Sequence, residues 1–112
     1  MALKAIFFML ATLVALHHVN ASCPGCISDA DVNDPNILRG VKQVLAQQNS
    51  NDMVIKIVSA KSQVVSGIRY IVEFLVKNPQ TNETKLCKAD YIEQPWESKN
   101  SIIKDFSCEV KN

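Results

Sequence analysis

Only one stretch of this 112-residue chain carries an apolar repeat of helical period, and the long apolar segments that follow it alternate instead. Ile37, Leu38, Val41, Val44 and Leu45 recur at three- and four-residue spacing and lay one apolar stripe along a helix. Asp34-Pro35 opens that helix, with an N-cap acceptor followed by a residue suited to the first helical position. Asn49-Ser50-Asn51-Asp52 closes it near Gln48, because short polar side chains favour turns over helix. Gly40 interrupts the stripe at about 1 kcal/mol relative to alanine, and close approach by a strand would explain it. Period two then takes over. Residues 53–63 are rich in Val and Ile, and Ile68, Tyr70, Val72, Phe74 and Val76 share one face of the next run. Residues 78–82 form a hairpin turn, and two further strands cover 85–94 and 101–110, the last with Ile102, Phe106, Cys108 and Val110 on one face. One helix followed by a run of strands is an α+β pattern, with one α-helix packed on a twisted four- to five-stranded antiparallel sheet.

The N-terminus reads as a leader rather than as part of this domain. Lys4 starts it, residues 5–16 are apolar, and Val19-Asn20-Ala21 supplies small residues for cleavage. The apolar run is too short to span a bilayer, so residues 1–21 are expected to be a signal peptide and residues 22–112 a single secreted, extracellular domain. Removing Lys4 from twelve basic residues leaves eleven against eleven acidic ones. A balanced chain without a basic run gives no electrostatic case for nucleic acid or a membrane surface. Both histidines, His17 and His18, leave with the leader. Without imidazole there is no Ser-His-Asp or Cys-His catalysis and no histidine-containing zinc site. Neither an enzyme, a cofactor nor a metal is expected.

Four cysteines in a small secreted chain point to two disulfides with three possible pairings. Cys87 and Cys108 sit in separate strand-like runs, and Cys23 and Cys26 stand together near the mature N-terminus, which favours Cys87–Cys108 and Cys23–Cys26. The first bridge closes a loop of about 20 residues and contributes about 3 kcal/mol by chain entropy. Cys23-Pro24-Gly25-Cys26 also fits a redox dithiol pattern, but no strand precedes it and no long helix follows at once. Asn82-Glu83-Thr84 is a glycosylation sequon on a turn.

Two turns are left unexplained by folding alone. Val64 and Val65 stand at the tip before Ser66-Gly67, where water disfavours apolar surface by about 25 cal/mol per Å². Pro95-Trp96 puts the only tryptophan at another tip, in the turn Gln94-Pro95-Trp96-Glu97 between the strands that carry Cys87 and Cys108. The run Gln63-Val64-Val65-Ser66-Gly67 matches the Gln-x-Val-x-Gly motif of the cystatins. Pro95-Trp96 matches their second hairpin, and Gly25 falls where their N-terminal glycine stands before Asn33-Asp34. Over essentially all of the mature chain, the sequence resembles a secreted, disulfide-containing cystatin.

That resemblance implies a monomeric, reversible inhibitor of papain-like cysteine proteases of the cathepsin type. Its protease-binding residues would be Gly25, Gln63, Val64, Val65, Ser66, Gly67, Pro95 and Trp96, forming a wedge that blocks the active-site cleft. Ser50-Asn51-Asp52 matches the turn with which some secreted cystatins also block legumain. The departures are in the arm, where Pro24 replaces the usual aliphatic residue before the glycine and Cys26 follows it. The family's second usual disulfide also lacks its cysteines, because the connection over 78–85 is short. The rival reading is a secreted binding or structural protein that keeps the fold without inhibiting proteases, since fold does not fix function.

Overall fold

The computed structural model describes residues 23–111; the leader expected over residues 1–21 lies outside them. A short strand β1 (Ser28–Asp29) precedes one helix, α1 (Pro35–Gln47), and four long strands follow: β2 (Met53–Val65), β3 (Gly67–Lys77), β4 (Thr84–Glu93) and β5 (Ile102–Lys111). The strands form one antiparallel sheet in sequence order, β1-β2-β3-β4-β5. No helix among the described residues is long and apolar enough to cross a membrane.

Local chemistry sets the ends of α1. The Asp34 carboxylate accepts from the Asn36 N–H at 2.9 Å, and Pro35 occupies the first turn. At the other end Asn49 takes a positive φ of 57°, and the Ser50 N–H donates to the Leu45 carbonyl, so the chain turns off the helix as an αL residue allows. Ile37, Val41, Val44 and Leu45 bury against Ala60, Val72, Phe74, Val76, Cys87, Ala89 and Tyr91 of the sheet. Gly40 lies where β4 comes closest. A Cβ there would stand 2.7 Å from the Tyr91 hydroxyl and 2.9 Å from Glu93 Oε1, so a larger residue would force these side chains aside.

Two expectations change. Leu38 lies about 100° round the helix from Ile37 and sits exposed on the flank of the stripe, beside an open groove with Val32 and Ile55. Ile102 does not share the inner face. Asp105 pairs with Asp90 while Ile103 pairs with Tyr91, so Lys104 is an extra residue, and this bulge turns Ile103 onto the core beside Phe106 and leaves Ile102 exposed. Phe106, Cys108 and Val110 do share the inner face, Cys108 opposite the buried Cys87, but Cys108 and Val110 are exposed there at the far end of β5. In β2, Ile55 and Val58 are likewise the extra residues of two irregularities, and both are exposed.

Both disulfides form as expected, Cys23–Cys26 and Cys87–Cys108. The second joins residues directly opposite in the β4–β5 register, so its constraint adds to a ladder already in place. Sequential antiparallel pairing leaves β2 and β3 joined by a tight turn at Ser66 and sends β4 into its loop at the same end. That end carries the tips left unexplained by folding.

Candidate functional site

Three segments meet at one end of the sheet. Ser28 and Asp29 pair with Ser62 and Lys61, which brings the arm before them alongside the top of β2. Val65 pairs with Gly67 across the first hairpin, and Ile68 pairs with Glu93, which delivers Gln94-Pro95-Trp96 beside that hairpin. Gly67 has φ +110°, a conformation that favours glycine. A Cβ on it would run into the Glu93 carbonyl and stand 2.8 Å from Gln94 Cγ, so the two hairpins pack too closely for any side chain there.

Side-chain amides join the three segments. Gln63 Nε2 donates to the Gly25 carbonyl at 2.8 Å and ties the arm to β2. The Gln94 amide donates to the Ser66 carbonyl, from the second hairpin to the first. On the far side of the second hairpin, Gln43 of α1 donates to the Lys99 carbonyl, and Gln47 donates to the Ser101 carbonyl at 3.1 Å. Each bond satisfies a carbonyl of an irregular segment that no strand could reach. The loop itself is closed by the Gln94 carbonyl, which accepts from the Glu97 and Ser98 N–H groups.

The apolar tips face outward. Val64 is 70% exposed, Trp96 65% and Ile68 42%, with Val65 and Ile27 also exposed. Trp96 does not fold back over the core. Beneath the tips, burial raises the Glu93 carboxyl, with nearby Arg39 opposing it. The Arg69 guanidinium holds the Asp90 carboxyl below the usual range by hydrogen bonding. Burial also raises Tyr91, whose hydroxyl has no partner among the described residues.

Of the residues singled out from the sequence, Gly25, Gln63, Val64, Val65, Ser66, Gly67, Pro95 and Trp96 thus come together. Ser50, Asn51 and Asp52 lie at the opposite end, where Met53 pairs with Lys77 and Lys77 with Thr84. There the Asp52 carboxylate is held by Lys85 at 3.1 Å and its N–H by Ser50 Oγ at 3.2 Å, while Asn51 between them is exposed. Sequence reading gave no role to Gln43, Gln94, Arg69 or Asp90. Only Gln94 carried a signal, its place next to Pro95-Trp96.

A family model described as cystatin domain matches residues 25–105, spanning the arm glycine, the helix, both hairpins and the start of β5. The chain belongs to the cystatin family. Cystatin Pr15a from Platymeris rhadamanthus is 37% identical over 110 residues, covering 96% of each chain. Cystatin Pr17a from the same organism is 37% identical over 106 residues, covering 92% of each. Among solved structures, mialostatin, a gut cystatin from the hard tick Ixodes ricinus, shares the fold with a TM-score of 0.67 at 16% identity, over 78% of this chain and 100% of that one. Family and fold together support a role in cysteine-protease inhibition rather than enzymatic turnover.

Proposed function

We propose that this cystatin is a secreted, reversible inhibitor of papain-like cysteine proteases, acting through a wedge made of the Gly25 arm, the Gln63–Gly67 hairpin and the Pro95-Trp96 hairpin. The observation that carries the reading is the convergence of these segments, with Val64 and Trp96 exposed on a frame that satisfies its own carbonyls. A drifting surface has no folding reason to keep an exposed valine pair and tryptophan together. As a binding edge they are an aromatic anchor with apolar surroundings, the usual make-up of an interface hot spot.

Inhibition needs no chemical step. The wedge occupies the cleft above the protease nucleophile and excludes substrate, and the hairpin backbone runs along its own ladder rather than across the nucleophile as a scissile peptide. Because the edge is already ordered, docking loses little conformational entropy, which favours tight binding. Titration of the secreted protein against a panel of papain-like proteases tests this directly. Reversible, competitive inhibition of at least one is expected, and failure to inhibit any at micromolar concentration would leave the rival reading, a non-inhibitory binding protein of the same fold.

The opposite end supports a second site. Asn51 is presented on a turn braced on both sides, by Ser50 Oγ and by the Asp52–Lys85 ion pair, as a legumain-type asparaginyl endopeptidase would need. Full legumain activity in the presence of micromolar protein would remove that site.

A further inference from the structure

The first turn of the arm is not an extended peptide. Cys23 and Cys26 are bonded to each other, the Cys26 N–H donates to the Cys23 carbonyl at 3.0 Å, and Gly25 takes φ +81°. Proline at the first central position and a positive-φ glycine at the second is how a type II turn is built. The turn is therefore closed twice, by a backbone hydrogen bond and by a disulfide. Yet the arm pairs with the sheet through only Ser28 and Asp29, together with the Ala30 N–H donating to the Ala60 carbonyl at 2.9 Å. Two paired residues are a weak hold for a contact surface.

The remaining hold crosses three strands. Asp90 on β4 receives Arg69 on β3 through two bonds, Nε to Oδ1 at 2.8 Å and a terminal nitrogen to Oδ2 at 2.6 Å. The other terminal nitrogen donates to Gln63 Oε1 on β2 at 2.9 Å. Arg69 and Gln63 are direct cross-strand partners. A guanidinium has only donors, so the end of the Gln63 amide that faces it must be the oxygen. The NH₂ end is then turned to the arm, where it meets the Gly25 carbonyl at 2.8 Å. With the amide reversed, two oxygens would face each other at the arm and two donors at the guanidinium. The fork of Arg69 engages both partners at once, which a point charge does not reproduce.

We propose that Arg69 and Asp90 are positioning residues for inhibition: they orient the Gln63 amide so that it latches the disulfide-closed Cys23–Cys26 turn onto the first hairpin, presenting Pro24-Gly25 to the protease as a preformed contact. The inference rests on the wedge reading, and deepens it by making the arm's contribution depend on two residues outside the three wedge segments. It also gives the unusual Cys-Pro-Gly-Cys segment a role. A closed turn needs only one oriented hydrogen bond to be held in place, where an open arm would need a strand.

The test compares wild type with Arg69→Met, with Arg69→Lys, with the paired change Cys23→Ser and Cys26→Ser, and with Arg69→Met combined with that pair. Inhibition constants against a papain-like protease are read together with hydrogen exchange over residues 23–30. Arg69→Met is expected to weaken inhibition roughly tenfold and to speed exchange at Cys26 and Ala30. The cysteine pair should do likewise, and the combined variant should lose less than the two losses added, because both act on one element. Arg69→Lys keeps a cation beside Asp90 and so preserves the fold, but should still release the arm. Unchanged inhibition and arm exchange in folded Arg69 variants, or strictly additive losses, would overturn the latch. If wild type inhibits no protease, the wedge reading fails, and the exchange data still decide whether the latch exists.

Discussion

At 65% exposure the Trp96 indole contributes little to its own domain, whereas truncating a buried tryptophan costs about 3–5 kcal/mol. Trp96→Ala should therefore leave the melting temperature close to that of wild type. Against a papain-like protease the same change should weaken inhibition by about 2 kcal/mol or more, near thirtyfold, as loss of an aromatic anchor does. A large fall in melting temperature with inhibition retained would contradict both the exposure and the wedge. Gly67 behaves in the opposite way, because its φ of +110° and the adjacent Glu93 carbonyl exclude a side chain. Gly67→Val should lower both stability and inhibition, by pushing the two hairpins apart, and a melting curve beside an inhibition constant checks both. Such residues were legible early. Val64, Val65 and Trp96 stood out as apolar side chains at turn tips, and an exposed tip needs no knowledge of distant strands to look anomalous. Leu38 misled because helical spacing defines a stripe but not how far round the helix its sheet extends.

Strand β4 carries two carboxylates whose environments pull in opposite directions. Burial raises Glu93, so its folded-state value lies above that of the unfolded chain, while Arg69 lowers Asp90. For Glu93 the stabilising proton is bound more tightly by the folded state. Stability therefore rises as pH falls through its raised value, with the gain complete below the ordinary glutamate value of about 4.3. For Asp90 the stabilisation is present above the ordinary aspartate value of about 3.9 and is lost as pH falls through its depressed value. Acidification from neutral pH should thus stabilise this end of the molecule first and destabilise it later. Glu93→Gln should remove the initial rise in melting temperature, and Arg69→Met should flatten the later fall, because without the guanidinium the Asp90 value is no longer depressed. A melting temperature for Glu93→Gln that still climbs as steeply as wild type as pH falls from neutral toward about 4.3 would show that Glu93 is not the group responsible. Neither carboxylate was visible as special in the sequence, because each acquires its partners from other elements: Asp90 meets Arg69 on β3, and Glu93 lies beside Gly40 and Arg39 of the helix. The register of β5 was hidden for the same reason. The extra residue Lys104 is a response to how β4 and β5 twist together, and no local pattern around Ile102 and Ile103 separates the two alternatives.

Across the whole molecule, the long strands separate the two ends by about 40 Å, from the rise of a strand as long as β2. The wedge lies at one end, and the turn over residues 78–83 lies at the other. In that turn Asn78 does the holding: its side chain accepts from the Gln80 and Thr81 N–H groups, and its backbone bonds with Asn82 and Glu83. Asn82 is exposed with φ 60°, is the first residue of the sequon Asn82-Glu83-Thr84, and leads into β4 at Thr84. A sugar there would project away from the wedge, beside the Ser50–Asp52 turn, so its consequences for the two ends should differ. Protein expressed through a eukaryotic secretory pathway is expected to carry one N-linked glycan that is removed by an endoglycosidase and absent from Asn82→Gln. Its inhibition constant for a papain-like protease should agree with that of the deglycosylated protein within about twofold, because a rim of bulk some 40 Å from an interface neither buries surface nor alters its ordering. Any effect of the glycan should appear instead on legumain. Glycosylated protein that inhibits papain-like enzymes markedly less well than its deglycosylated form would mean that the protease contacts this end of the sheet, and the assignment of the two ends would have to be reversed.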